Sequence, residues 1–291
     1  MEPQLVIAVA ALIGLQFGSF LNVVVWRLPR MLEREWQAVS AGQTADAQPV
    51  FNLSTPRSHC PHCHTPLAWR DLVPVLSYLW LRGRCGHCAV QISLRYPLVE
   101  VAVGLVWGLC AWHWGSSFTA LAWAGSFTTL LALALIDADT LLLPDALTLP
   151  LMWAGLIAAQ LGWTGLPLSD ALWGAVAGYL SLWLVYQVFL RLTGKHGLGG
   201  GDFKLLAALG AWLGWQALPW LVLGGFAAGL VVRRCFDVAR SIPKRPTHSV
   251  GSFTGLGRGC LGPVAARWVM GVPRRPCACA TEWGCQAGEV A

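Results

Sequence analysis

Long apolar runs are the feature of this sequence that most restricts its fold. Six runs occur, at residues 5–26, 97–114, 118–136, 147–163, 171–192 and 203–232. A helix needs about 20 apolar residues to cross a hydrocarbon core of about 30 Å, so each run is a candidate span, and the last is long enough to divide near Pro219. Because lipid offers the backbone no hydrogen-bond partners, we predict an all-α polytopic membrane protein with six to seven transmembrane helices.

The composition agrees with a membrane protein. Apolar residues make up 56% of the chain and charged residues only 12%, whereas soluble domains carry about 25% charged residues. The first run has no Lys or Arg before it and is longer than the apolar part of an export signal. We therefore expect the first run to remain as a helix.

Arginine is concentrated after the first run. Residues 27–96 contain eight arginines, and Lys and Arg favour the cytoplasmic side of a membrane. We therefore predict that this segment is cytoplasmic and that the N-terminus is external. Counting spans from there brings the ends of residues 118–136 and 171–192 to the same cytoplasmic face.

Carboxylates occur at both of these cytoplasmic boundaries. Asp137, Asp139 and Asp145 lie in "IDADTLLLPD", and Asp202 lies in "GLGGGDF". A single acid at the end of a span is commonly a solvated boundary residue, although acids retained within a helix bundle tend to be functional. Two acids close together share a proton and can serve as general base and general acid toward a water molecule.

The glycines before Asp202 allow two interpretations. Gly197 and residues 199–201 lack a β-carbon, so the backbone there can take positive φ and let a substrate strand approach closely. A flexible linker, or a helix start with Asp202 as its N-cap, explains the same residues.

Two Cys-x-x-Cys pairs, "CPHC" at residues 60–63 and "CGHC" at 85–88, are separated by 21 residues, close to the spacing of a four-thiolate zinc ribbon. The predicted ligands of a structural Zn²⁺ in a closed site are Cys60, Cys63, Cys85 and Cys88. Zinc would order a segment that has little core of its own. Disulfides are the alternative, which a reducing cytoplasm disfavours. His62 and His87 are alternative ligands, although we expect them to face solvent.

Several motifs together are highly specific. They are "GSFLNVVVWRLP" (18–29), the two Cys pairs, "ISLRYPLVE" (92–100), "IDADTLLLPDALTLPLMWAGL" (136–156) and "GGGDFKLLAALGAWLG" (199–214). They resemble those of the bacterial type IV prepilin peptidases, bifunctional leader peptidases and N-methyltransferases of the inner membrane. The resemblance covers residues 10–232.

The resemblance implies an aspartic endopeptidase. Its catalytic pair would be Asp202 and Asp137, since the family pattern has an Asp seven residues before the Pro, here Pro144. The implied substrates are prepilins or pseudopilins, in which a basic leader precedes Gly and a hydrophobic helix. The implied location is the bacterial inner membrane, multi-pass, with the active site facing the cytoplasm and no nucleic acid as partner.

The resemblance also implies N-methylation of the new N-terminus with S-adenosylmethionine. No dinucleotide-type glycine fingerprint occurs in the chain, so the residues that bind the methyl donor stay unassigned. Two other functions are open. Paired acids also mark proton-coupled carriers, with Asp137 and Asp202 as a relay, and the metal-binding segment suits a scaffold that docks partners.

The sequence departs from the family pattern after residue 232. Residues 233–291 contain no run of span length, which predicts a disordered tail. We expect a reading-frame shift near residues 233–245, and a genuine basic tail is the alternative. The predicted organisation is a first transmembrane helix (1–26), a cytoplasmic loop with the four-Cys zinc site (27–96), a transmembrane peptidase core (97–232) and the tail (233–291).

Overall fold

A computed structural model of the chain describes residues 2–42, 51–60, 62–194, 199–225 and 227. Within these ranges the protein is helical and has no β-strand, which confirms the predicted all-α class. The helices are α1 (Pro3–Ser40), α2 (Leu76–Trp80), α3 (Arg95–Trp114), α4 (Phe118–Thr140), α5 (Asp145–Gln160), α6 (Leu168–Thr193) and α7 (Gly200–Leu213). The predicted tail and frame shift lie outside the described residues.

Four helices, α1, α3, α4 and α6, are long and apolar enough to cross a membrane. The helices α5 and α7 match two further apolar runs but have only 16 and 14 residues. At 1.5 Å per residue these two extend about 24 and 21 Å, less than the hydrocarbon core of about 30 Å. The last predicted span continues past the described residues.

α1 continues beyond the apolar run that predicts it. Its 38 residues extend about 57 Å, nearly twice the thickness of the hydrocarbon core. The sequence becomes polar at Arg27, but the residues that follow include Leu, Met, Glu and Arg, which favour helix. The segment predicted as a loop from residue 27 therefore begins as helix and leaves it only after Ser40.

The last predicted span is interrupted at Gly214 and not near Pro219. α7 ends at Leu213, and Gly214 has a φ of +81°, a left-handed conformation that costs glycine little. A 3₁₀ turn at Trp215–Ala217 and helical residues 218–225 follow. Pro219 is tolerated because it lies in the first turn of this second helix, where proline removes no helical hydrogen bond.

α1, α3 and α4 share one apolar core. A β-carbon on Gly18 of α1 would lie 2.7 Å from the Cα of Glu100 in α3, and one on Gly14 would lie 2.7 Å from Trp107. These glycines let the two helices approach closely, as small residues do in membrane bundles. Ile136 of α4 is fully buried in the same core.

α6 and α7 meet backbone to backbone. A β-carbon on Gly174 would collide with the carbonyl of Gly210, and one on Gly178 would lie 2.6 Å from the carbonyl oxygen of Leu206. Glycine is required at these positions because the main chains leave no space for a side chain. This contact fixes where α7 lies along α6.

α7 also packs against α5 and α4. Gly155 of α5 leaves room for the Trp212 indole, whose N–H donates to the carbonyl of Leu151 at 2.9 Å. Leu133 of α4 and Ala208 of α7 belong to one buried cluster. α4 and α7, which carry the predicted acidic residues, are therefore held against a common core.

Candidate active site and metal centre

Asp137 and Asp202 lie at the ends of two packed helices. Asp137 is in the last turn of α4, and Asp202 is in the first turn of α7. Gly201, which precedes Asp202, lies against Leu143 in the connection that follows α4. The structure thus places these two carboxylates, which are far apart in the sequence, at the same end of the bundle.

Ion pairs distinguish the three acids around Pro144. Arg95, the first residue of α3, donates two hydrogen bonds to the Asp139 carboxylate, at 2.8 and 2.6 Å. Lys204 of α7 donates to Asp145 at 2.6 Å. Asp137 is exposed and has no hydrogen-bond or ion-pair partner among the described residues. Asp137 is therefore the acid that remains available to a water molecule or a substrate.

Asp202 occupies a defined position in the helix start. Gly199 is the N-cap of α7, so Asp202 is the third helical residue and not the N-cap. Its carboxylate is therefore in the first turn, near the positive end of the helix dipole.

Gly201, directly before Asp202, packs against the connection between α4 and α5. A β-carbon on Gly201 would lie 2.6 Å from the Cβ of Leu143, whereas Gly200 has nothing within 4 Å of that position. Leu141, with a φ of +56°, ends α4 in the left-handed conformation. Residues 199–201 thus form the start of α7 and not a linker.

Two links between the bundle and the metal-binding segment were not predicted. Glu100 of α3 accepts a hydrogen bond from the Val75 N–H at 2.8 Å. Arg27 is 5% exposed and donates to backbone carbonyl groups in the segment before the first Cys pair. The sequence showed Arg27 only as a topology marker, because nothing in one sequence indicates which carbonyl groups an arginine meets.

The four cysteines converge. Their Sγ atoms all lie within 4.8 Å of one another, and the Cys60 and Cys88 sulfurs are 3.8 Å apart. Tetrahedral zinc with Zn–S bonds of about 2.3 Å requires sulfur–sulfur separations of about 3.8 Å. All four are free thiols, so the residues present fit a zinc ion and no disulfide competes for them.

Each Cys pair forms a tight turn of the same kind. The Cys60 N–H donates to the Thr65 carbonyl at 3.0 Å, and the Cys85 N–H donates to the Val90 carbonyl at 2.9 Å. The residue four positions after each first Cys has a left-handed φ, +57° at His64 and +56° at Ala89. These turns point both sulfurs of a pair in one direction.

The alternative histidine ligands are not part of the cluster. His62 and His87 are exposed, and the group of converging ligand atoms contains only the four cysteines. Hydrogen bonds from the side chain and the N–H of Thr65 lower the pKa of Cys63 to about 6. A lowered pKa favours the thiolate, which is the form that binds metal.

Comparison with known proteins identifies the family. The N-terminal part, residues 12–114, matches the bacterial peptidase A24 N-terminal domain, and residues 124–233 match the type IV leader peptidase family. The chain is 46% identical to a prepilin leader peptidase/N-methyltransferase of Aeromonas hydrophila over 279 residues, 92% of this chain and 95% of the relative. The chain belongs to the type IV leader peptidase family.

Other relatives of this family have the same name. Those of Pseudomonas putida and Neisseria gonorrhoeae are 52% and 48% identical, over 80% of this chain and 81% and 83% of their own lengths. No solved structure matches the chain. The comparisons confirm the family that the motifs indicated, and they give no support to a proton-coupled carrier.

Proposed function

We propose that this chain is a membrane aspartic endopeptidase that removes the leader peptide of prepilins or pseudopilins. The relatives named prepilin leader peptidase/N-methyltransferase support this activity. The observation that carries the aspartic mechanism is the placement of two acids at one end of the bundle. Asp137 has no ion-pair partner among the described residues, and Gly201, next to Asp202, lies against the connection that follows α4.

The two carboxylates suit the hydrolysis of a peptide bond. The mechanism requires the two carboxyl groups to share one proton, so that one group is a carboxylate while the other is a carboxylic acid. The carboxylate removes a proton from a water molecule, and the water oxygen attacks the scissile carbonyl carbon. The acid then protonates the leaving nitrogen as the C–N bond breaks. Neither a nucleophilic side chain nor a metal is needed at the reacting carbon.

We infer that this site faces the cytoplasm of a bacterial inner membrane. Arg95 begins α3 and pairs with Asp139 at the end of α4. The ion pair places the end of α4 on the same side as the arginine-rich segment that precedes α3. Arginine-rich segments favour the cytoplasmic side, where the basic leader of a prepilin is also expected.

We also infer that the chain N-methylates the amine that cleavage releases. The relatives are named prepilin leader peptidase/N-methyltransferase, which supports this second activity. S-adenosylmethionine, when bound, supplies an electrophilic methyl group, and the protein must present the new amine in its neutral form. The binding residues for the methyl donor stay unassigned.

Zinc has a structural role in this proposal. The four sulfurs of Cys60, Cys63, Cys85 and Cys88 converge, and four thiolates would fill the tetrahedral coordination of zinc and leave no position for a water molecule or substrate. The cysteines hold the segment between α1 and α3 in shape. They take no part in the peptidase step.

The catalytic pair can be tested by substituting each acid. Asp137→Asn and Asp202→Asn should each reduce the initial rate of cleavage of a full-length prepilin in detergent by about 10²–10⁴-fold, because each removes a proton-transfer group. Asp139→Asn and Asp145→Asn are the matched controls. These should keep most of the activity, since each replaces an acid that already has a cation partner.

Folding has to be monitored in the same four variants. Gel filtration and zinc content should equal those of the wild type in all of them. Wild-type cleavage by Asp137→Asn, together with loss of cleavage in a folded Asp139→Asn or Asp145→Asn variant, would move the catalytic role to that other acid.

A further inference from the structure

α2 has an apolar face that no described residue covers. Leu76, Leu79 and Trp80 are spaced by three and four residues, so they share one side of the helix. Their exposed fractions are 62%, 65% and 88%. Leu72, in the 3₁₀ turn before α2, is 44% exposed. Large apolar side chains exposed together mark an interaction surface.

The opposite side of α2 is packed on the metal-binding segment. The Tyr78 hydroxyl donates to the Ile92 carbonyl at 3.4 Å. Gly83 has room for no side chain, because a β-carbon there would lie 2.7 Å from the Tyr78 hydroxyl oxygen. Tyr78 therefore orients α2, and the apolar face is directed away from this contact.

A hydrogen bond sets the depth of α2 relative to α3. Val75, which directly precedes α2, donates its N–H to Glu100 at 2.8 Å. Glu100 is five residues beyond the start of α3 at Arg95, or about 8 Å along the helix. α3 has 20 residues, about the length required to cross the hydrocarbon core. The start of α2 therefore lies within about 8 Å of the boundary of that core, on the side where α3 begins.

The segment around α2 is positively charged. No acidic residue occurs between Asp71 and Glu100, while Arg82 and Arg84 follow α2 directly. Both arginines are exposed. Juxtamembrane arginines are attracted to anionic lipid headgroups, and an apolar helix face beside basic residues is typical of helices that lie in a membrane interface.

We propose that α2 lies in the interface of the leaflet at which α3 begins, with Leu76, Leu79 and Trp80 inserted among the lipids. This contact holds the metal-binding segment on the membrane surface. Arg95 at the start of α3 pairs with Asp139 at the end of α4, which also carries Asp137. The membrane contact of α2 is therefore on the same side as the candidate active site. The proposal depends on the membrane placement of α3 and not on the peptidase chemistry.

Photo-crosslinking tests the occupant of this surface. The full-length protein is prepared with p-benzoylphenylalanine in place of Trp80, Leu79, Tyr78 or Val39, and reconstituted in vesicles of phosphatidylethanolamine and phosphatidylglycerol without prepilin. Val39 is the matched control for exposure, because it is 80% exposed. Val39 follows Gly18 by 21 residues, and Gly18 is level with Glu100. Val39 is therefore about 32 Å further along α1, a distance greater than the thickness of the hydrocarbon core.

The expected result is a several-fold higher yield of lipid adducts at positions 79 and 80 than at positions 39 and 78, measured by mass spectrometry after irradiation. Equal yields at positions 80 and 39 would overturn the proposal. A second sample contains prepilin. If the probe at position 80 reacts with prepilin and not with lipid, this face is a substrate-docking surface instead.

Two probe positions on the same face of α2 allow a folding defect to be recognised. A protein with the probe at position 79 or 80 that retains zinc and cleaves prepilin is correctly folded. Because lipid adducts are read without substrate, their absence contradicts only the placement of α2. Loss of cleavage in the Asp137 and Asp202 variants is a separate outcome.

Discussion

Gly200 and Gly201 are neighbours in the first turn of α7, yet only Gly201 contacts another segment. A β-carbon on Gly201 would lie 2.6 Å from the Cβ of Leu143, whereas one on Gly200 would meet nothing within 4 Å. Asp202 follows directly. A side chain at residue 201 would therefore push the carboxylate of Asp202 away from the loop that follows Asp137.

Gly201→Ala should reduce prepilin cleavage by about 10- to 100-fold, because displacement of a catalytic group by about 1 Å can cost 10²-fold in rate. Gly200→Ala should cleave at nearly the wild-type rate. Initial rates on full-length prepilin in detergent measure both. Equal losses in the two variants would show that backbone freedom, and not the contact with Leu143, explains these glycines.

The partners of single residues are what the sequence could not predict. Motif positions were sufficient to name Asp137 and Asp202 as candidates. The ion pairs that distinguish Asp139 and Asp145 from Asp137 join residues that are 44 and 59 positions apart in the sequence. Such pairs depend on how helices pack, and one sequence carries no signal for that.

At the level of structural elements, the two Cys pairs were predictable because their geometry is local. A Cys-x-x-Cys turn places two sulfurs on one side of the chain whatever the rest of the fold does. The left-handed residues His64 and Ala89 complete the turns. Helix ends were less predictable, because hydropathy indicates where the chain leaves the lipid and not where the helix ends. α1, for example, remains helical from Arg27 to Ser40, after its apolar run has ended.

Cys60→Ser combined with Cys63→Ser should abolish zinc binding and make the segment between α1 and α3 sensitive to protease. Structural zinc contributes about 10–16 kcal/mol to the folding of zinc-finger peptides. The matched control is His62→Ser combined with His87→Ser, which changes exposed residues within the same turns and should keep the metal. Metal analysis by mass spectrometry, together with limited proteolysis, measures the effect. An unchanged zinc content in the Cys variant would refute this ligand set.

At the scale of the whole molecule, the order of the membrane helices followed from the apolar runs. Which helices pack against one another could not be predicted from these runs, because a contact such as that of Gly174 with Gly210 depends on two distant positions together. Small residues indicate that helices approach closely, but they do not say which helices. The structure supplies that pairing.

Residues 233–291 pose a question about the entire chain. The leader peptidase family model ends at residue 233, next to the residue at which the sequence changes character. The alignment with the Aeromonas hydrophila relative covers 92% of the chain, whereas those with the Pseudomonas putida and Neisseria gonorrhoeae relatives cover 80%, so the frame shift stays a prediction.

Sequencing the coding DNA decides between a frame shift and a genuine basic tail. A shift near residues 233–245 predicts that an alternative frame encodes a further apolar run of about 20 residues, the length of a membrane span. If the alternative frames encode no such run, the basic tail is genuine.

The two ion pairs leave an uneven distribution of charge at this end of the bundle. Arg95 neutralises Asp139, and Lys204 neutralises Asp145, so the surplus negative charge of these described helix ends belongs to Asp137 and Asp202. With one proton shared between these two, the remaining negative charge attracts a cationic peptide to the candidate pair itself and not to the ion-paired acids around it. Electrostatic attraction of the substrate peptide and cleavage of its peptide bond would then depend on the same two carboxyl groups.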